Sequence, residues 1–160
     1  MKAYNFPNML EKEWMLITAG SDQKVNTMTA GWGGFGILWG KPCVFIFIRP
    51  QRYTYEFTER ENYFSLNFFE NEKKMLSYLG TVSGRDEEKI ANANLNIEFQ
   101  HNTPYFREAK VNILCKKIYR DILREENFLF PEIHQKWYPK KDYHIVYIGE
   151  ILEIVEGGEE

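Results

Sequence analysis

Residues 43–48 read Cys-Val-Phe-Ile-Phe-Ile, an apolar run with no polar position inside it. A strand that is apolar on both faces has to be covered on both, so this run marks the centre of a sheet. Pro50 stops it, because proline has no N–H to give to a ladder. A chain organised around such a strand needs further elements to sheath it. With 160 residues it is long enough to bury a core without staples, and residues 1–160 are read as one domain.

The rest of the pattern is also strand-rich. Residues 14–19 are apolar, 26–32 alternate, and 63–68 and 111–119 read as further strands. Residues 143–155 close the chain with both alternating sets apolar: Ile145, Tyr147 and Ile151 on one side, Val146, Ile148 and Leu152 on the other. One face of that strand meets the core, the other a helix or a second subunit. Helices are expected at 53–61, from Asn71 as N-cap through Leu79 with Gly80 at C′, and from Ser83–Asp86 to about Asn94. The glycine-heavy stretch 31–36 reads as a turn and 125–142 as a loop-rich excursion. About six strands without a βαβ alternation exclude a doubly wound nucleotide fold and favour a closed or partly open antiparallel barrel.

Net charge is −3 and the pI about 5.7, so no global field favours nucleic acid or an anionic membrane. Any phosphate must be met by a local group of cations. The two cysteines, Cys43 and Cys115, lie in apolar runs and read as reduced, buried thiols of a cytoplasmic protein. The three histidines share no metal-like spacing, so no metal site is expected. The first residues carry no apolar signal region, and no apolar stretch is long enough to span a membrane. The last four residues, from Gly157, read as a frayed tail.

Three segments could carry chemistry. Asn26, Thr27, Met28, Thr29, Ala30, Gly31 and Trp32 combine amide and hydroxyl groups with glycine, so a flat ligand could approach main-chain N–H groups; an edge strand with a core tryptophan is the bland alternative. Arg49, Gln51, Arg52, Tyr53 and Thr54 bracket a strand end and a helix start, where free N–H groups and a bidentate guanidinium suit a phosphate. The alternative there is surface pairing of Arg49 and Arg52 with Glu56 or Glu59. Ser83, Gly84 and Lys89 lie at a third start, with ordinary capping and helical ion pairs as the alternative. No nucleophile–base spacing or dinucleotide fingerprint is present.

In this order the segments resemble the flavin reductase-like family with the FMN-binding split barrel. Lys41-Pro42, Tyr63-Phe64-Ser65-Leu66-Asn67 and the closing run from His144 to Glu150 add to the match, which covers about residues 14–153. The resemblance implies a mainly β chain with flanking helices: a six-stranded antiparallel Greek-key split barrel, homodimeric, with FMN near the subunit interface. It implies that Asn26–Trp32 faces the isoalloxazine and ribityl chain. Arg52, Tyr53 and Thr54 would hold the phosphate, helped by Ser83, Gly84 and Lys89. The activity implied is hydride transfer from NADH or NADPH to flavin N5, with electrons passed on to an acceptor that could be a protein. An FMN-holding electron carrier or redox sensor without nicotinamide activity is the alternative. His144, from its place in the closing motif, is a candidate contact for nicotinamide or flavin.

Overall fold

The structure, a computed structural model, describes residues 3–157. Nine strands form a seven-stranded sheet, in the order β2-β1-β5-β8-β9-β4-β3, and a separate two-stranded hairpin, β6-β7. All neighbours are antiparallel. The ranges are β1 Met15–Gly20, β2 Val25–Ala30, β3 Gly33–Leu38, β4 Lys41–Ile48, β5 Tyr63–Phe68, β6 Ile97–Gln100, β7 Thr103–Phe106, β8 Val111–Ile122 and β9 Ile145–Glu156.

Closure follows from connectivity. Strands β2 and β3 stand at opposite ends of the sheet order, yet only Gly31 and Trp32 separate them in the chain. The three steps from Ala30 to Gly33 span at most about 11 Å, so the sheet must curl until its two edges converge: a barrel left split between β2 and β3. Gly33 makes the corner, with φ +154 and its Cα side against the Phe45 carbonyl, where a Cβ would lie 2.7 Å from that oxygen. The 12-residue strands β8 and β9 carry register shifts at Leu114/Cys115 and Lys117/Tyr119. Such bulges bend a long ladder and increase its twist.

The strand of residues 43–48 is β4, flanked by β9 and β3 and one place in from the edge. Its inner face (Val44, Ile46, Ile48) is buried in the barrel, packed with Ile17, Leu66, Phe64 and Tyr147. Its outer face is covered by closeness rather than by sheet: the Phe45 ring lies over Gly34 and Gly36, and Phe47 stands against His144. A polar seam crosses the buried interior, with Thr18 bonded to Thr27 and Asn67, and Asn67 to Ser65 and Asn112. Every member has a partner, as burial requires. Cys43 and Cys115 are buried free thiols.

All six expected strands form, and three more join them. The glycine stretch 31–36 is mostly strand β3, turned into β4 by Trp39 and Gly40, both at positive φ. The hairpin β6-β7 turns on His101 and Asn102, again both at positive φ, the pairing that suits a two-residue loop. Helix α1 (Phe6–Asn8), capped by Asn5, runs into a π-helical turn at Met9–Glu13 and closes one barrel end, with Phe6 stacked on Phe35 at 4.1 Å.

Helix α2 (Tyr53–Arg60) matches its expected span, but the next two differ. Asn71 is not a cap; it sits at φ +57, and α3 (Lys73–Thr81) begins after Glu72 and runs through Gly80. Gly80 is glycine because α3 packs directly on β2, where a Cβ would meet Thr29 at 2.9 Å. Residues 83–88 are turns, so Ser83 starts no helix, and α4 is only Lys89–Asn92. The excursion 125–142 holds α5 (Pro131–Trp137). Gly157 donates to the Lys110 carbonyl; the rest of the expected frayed tail, 158–160, lies outside the described residues.

Candidate functional site

A groove runs along β2, from the start of α2 to the split of the barrel. At one end a cavity of about 130 Å³ is lined by Asn26 and Met28 of β2, Gln51–Thr54 at the head of α2, and Gly80–Ser83 with Lys89. No carboxylate lines it. Arg52 donates from Nη1 to the Gly80 carbonyl (3.2 Å), and Lys89 Nζ donates to the carbonyls of Leu79 (2.8 Å) and Val82 (2.9 Å). Both cations thus terminate α3, whose last carbonyls have no helical partner. Neither forms an ion pair among the described residues.

The hydroxyls at this end are oriented as donors. Thr54 Oγ1 accepts from Asn26 Nδ2 at 2.9 Å, and Ser83 Oγ accepts from the Arg85 N–H at 3.1 Å. Each oxygen is engaged as an acceptor, which leaves its hydrogen for something in the cavity. Gly84 has to be glycine here: a Cβ would lie 2.1 Å from Asn26 Oδ1 and break the Asn26–Thr54 bond.

The electrostatics agree. Burial lowers the Arg52 guanidinium from its ordinary value, and burial followed by Arg52's charge lowers the Lys89 ammonium from 10.5 to about 8. Two desolvated cations beside each other, with no acid, form a site that an anion would relieve.

At the other end a cleft of about 220 Å³ lies between β2 and β4 and shares Met28 and Arg52 with the first cavity. Thr29, Ala30, Gly31 and Trp32 form one wall; Phe47, Arg49 and His144 form the other. Thr29 is held by a hydrogen bond to the Leu76 carbonyl. Trp32 remains 46% exposed, with its ring edge-on to Trp137 at 4.9 Å and 5.4 Å from His144. The excursion 125–142 hangs over this end. Arg49 pins it, through an ion pair to Asp142 (2.9 Å), donation to the Trp137 carbonyl (2.8 Å) and its guanidinium over the Tyr138 ring. Gln51 adds a bond to Asp142 Oδ2 at 2.7 Å.

The structure therefore brings most sequence candidates to one groove, with distinctions the sequence does not make. Thr27 is enclosed: it is fully buried and bonded to Thr18 and the Ile17 carbonyl, although it shares a face of β2 with Thr29. The Arg49 and Gln51 side chains bond to the excursion, although Gln51 also lines the anion end. Surface pairing of Arg49 and Arg52 with Glu56 or Glu59 does not occur: Glu56 pairs with Arg85 and Glu59 with Arg120. Groove residues that the sequence does not single out are the main chain of 80–82, Phe47, and Tyr138 and Trp137 of the excursion. A larger open depression of about 650 Å³ lies elsewhere, beside α3 and α4, but glutamates and lysines line it together and no sign of charge prevails.

Fold and groove together define a split β-barrel with a carboxylate-free, cationic pocket joined to a flat, aromatic-walled cleft. The chain belongs to the flavin reductase like domain family, whose model matches residues 9–160. Among solved structures it is similar to flavoredoxin from Methanosarcina acetivorans, with 21% identity, TM-score 0.69 and coverage of 98% of this chain and 74% of that one. It is also similar to an FMN-binding protein from Thermus thermophilus crystallised with 1-cyclohex-2-enone, with 19% identity, TM-score 0.68 and coverage of 98% and 80%. A third is an FMN-binding domain of a flavin reductases-like enzyme from Shewanella baltica, with 17% identity, TM-score 0.65 and coverage of 96% and 75%. At these identities the likeness is one of fold. A comparison with curated proteins finds no match.

Proposed function

We propose that the groove binds FMN and that the protein is a cytoplasmic NAD(P)H-dependent flavin reductase or oxidoreductase. The observation that carries the FMN reading is the carboxylate-free pocket with two desolvated cations, Arg52 and Lys89, and two hydroxyl donors, Thr54 and Ser83. A phosphate monoester supplies the charge and acceptor oxygens those groups lack. The N–H groups of the first turn of α2 add to them. The cleft along Thr29–Trp32 then takes the ring, where main chain can meet the heteroatoms of a flavin edge.

When bound, FMN supplies the acceptance of a hydride at N5. The protein's own residues orient and shield. Arg49 keeps the excursion over the ring end, Trp32 and Trp137 wall the cleft, and His144 stands beside it as a neutral group. No general base is required.

A homodimer is part of the reading. Ile37, Trp39 and Tyr119 are exposed, and Trp39 lies against Tyr119 at 5.9 Å, an apolar surface suited to a second copy. One feature favours the electron-carrier alternative: Trp137 against Trp32 narrows the approach that a nicotinamide would need.

The test is optical. The purified protein, supplied with FMN, should retain a flavin spectrum through gel filtration and bleach rapidly when mixed anaerobically with NADH or NADPH. A colourless protein after FMN addition overturns the FMN reading. A yellow protein that neither nicotinamide reduces leaves the carrier in place of the reductase.

A further inference from the structure

Tyr138 and His144 meet behind the cleft. Tyr138 is 4% exposed, so its hydroxyl hydrogen needs an acceptor. Among the described residues the partner of that hydroxyl is Nδ1 of His144, 2.5 Å away. With no other acceptor in reach, the buried hydroxyl hydrogen is the one that points to Nδ1. A ring whose Nδ1 accepts carries its proton on Nε2. Among the described residues Nε2 has no hydrogen-bond partner, and His144 is one of the walls of the cleft.

The charged neighbours reinforce a neutral ring. Arg49 lies over the Tyr138 ring at 4.8 Å, and Asp142 is tied up in its ion pair with Arg49. Burial, and then Arg49, push the imidazole from 6.5 down to about 4, against a smaller opposing effect of Asp142.

We propose that Tyr138 is a positioning residue that fixes His144 as its Nε2–H tautomer, so that the cleft presents one neutral N–H donor to an acceptor atom of a planar ligand. Such a donor suits a carbonyl or ring nitrogen, whereas the other end of the groove is built for charge. What the N–H meets rests on the flavin reading above; the tautomer is a property of the protein itself.

Long-range ¹H–¹⁵N spectra of uniformly ¹⁵N-labelled protein at pH 7 test it, with His144→Gln assigning the ring signals. The expected wild-type pattern is a protonated, pyrrole-type Nε2 and an unprotonated, pyridine-type Nδ1. Tyr138→Phe keeps the ring against Phe128 and Tyr143 but removes the hydroxyl, and should give a mixture of both tautomers. An Nδ1–H tautomer or an imidazolium in the wild type overturns the proposal without recourse to any variant. An unchanged single tautomer in Tyr138→Phe also overturns it. FMN titration of the same sample reports separately on the flavin reading, so failure of one is distinguishable from failure of the other.

Discussion

At the anion end of the groove the parts come from segments that secondary structure itself brings together: the head of α2, the tail of α3, and α4, docked on β2. At the ring end the walls are Thr29–Trp32 and Phe47, Arg49 and His144, and the excursion 125–142 hangs over them, tied to Arg49 by contacts between residues 88 to 93 positions apart. The first end is held by main chain, with Arg52 and Lys89 both bonded to carbonyls of residues 79–82. The second is held by an ion pair at partly exposed side chains, a few side-chain hydrogen bonds and aromatic edges. A site divided this way separates affinity from selectivity: the anion end grips, and the ring end can be rebuilt without disturbing the grip.

The largest effect should come from removing the grip. Arg52→Ala is expected to weaken FMN binding by about 1–3 kcal/mol, roughly 5- to 150-fold, the range for a lost charge-assisted contact. Quenching of FMN fluorescence on titration with protein measures it. Wild-type affinity in this variant would place the phosphate elsewhere and dissolve the comparison.

A second effect follows from Lys89, whose ammonium sits at about 8 in the free protein. A bound phosphate favours the charged form and raises that value, so between the two values binding takes up a proton. FMN affinity should therefore be flat just below pH 8 and fall by up to about tenfold per unit above it. The same depression acts on stability. Below pH 8 the buried ammonium costs stability, and the cost is relieved as pH rises from 8 towards 10.5. Lys89→Met should abolish the alkaline fall in affinity. An unchanged profile in that variant would assign the fall to another group.

These two ends also differ in how much of them a sequence displays. Arg52, Thr54 and the stretch from Asn26 to Trp32 stand out because strand end, proline and helix start are adjacent in the chain, and local rules suffice. Lys89 is visible as a residue but not as a buried cation, since its burial depends on α3 ending above it. Thr27 and Thr29 share a face of β2, and only the packing of β1 and α3 against it tells them apart. Tyr138 and Trp137 carry no local signal: α5 begins at Pro131 inside a stretch whose spacing reads as loop, and distant contacts with Arg49, Trp32 and His144 decide what they face. The barrel follows the same rule. Six strands show as apolar or alternating runs, but β3 is hidden by its glycines, which are there so that Phe45 can lie across them. The hairpin β6-β7 is hidden by a His101–Asn102 turn without the customary glycine.

The smallest effect on affinity, and the sharpest on the comparison, belongs to Asp142. Its carboxylate holds both Gln51 and Arg49, and those bonds lower it from its ordinary value. Asp142→Ala leaves Arg49 its carbonyl partners but frees the excursion to swing, because partly exposed ion pairs hold only weakly against solvent. FMN affinity should change by less than about threefold, as expected for losing a pair of that kind. The released excursion should be cut faster by trypsin at Lys136, Lys140 or Lys141, and tryptophan emission should shift to the red as Trp137 leaves Trp32. A fall in FMN affinity as large as that of Arg52→Ala would mean that the excursion reaches the phosphate pocket through Gln51 and that the two ends work as one. Unchanged proteolysis with unchanged emission would mean that the aromatic edges alone hold the wall, and that Arg49 is there for the ligand.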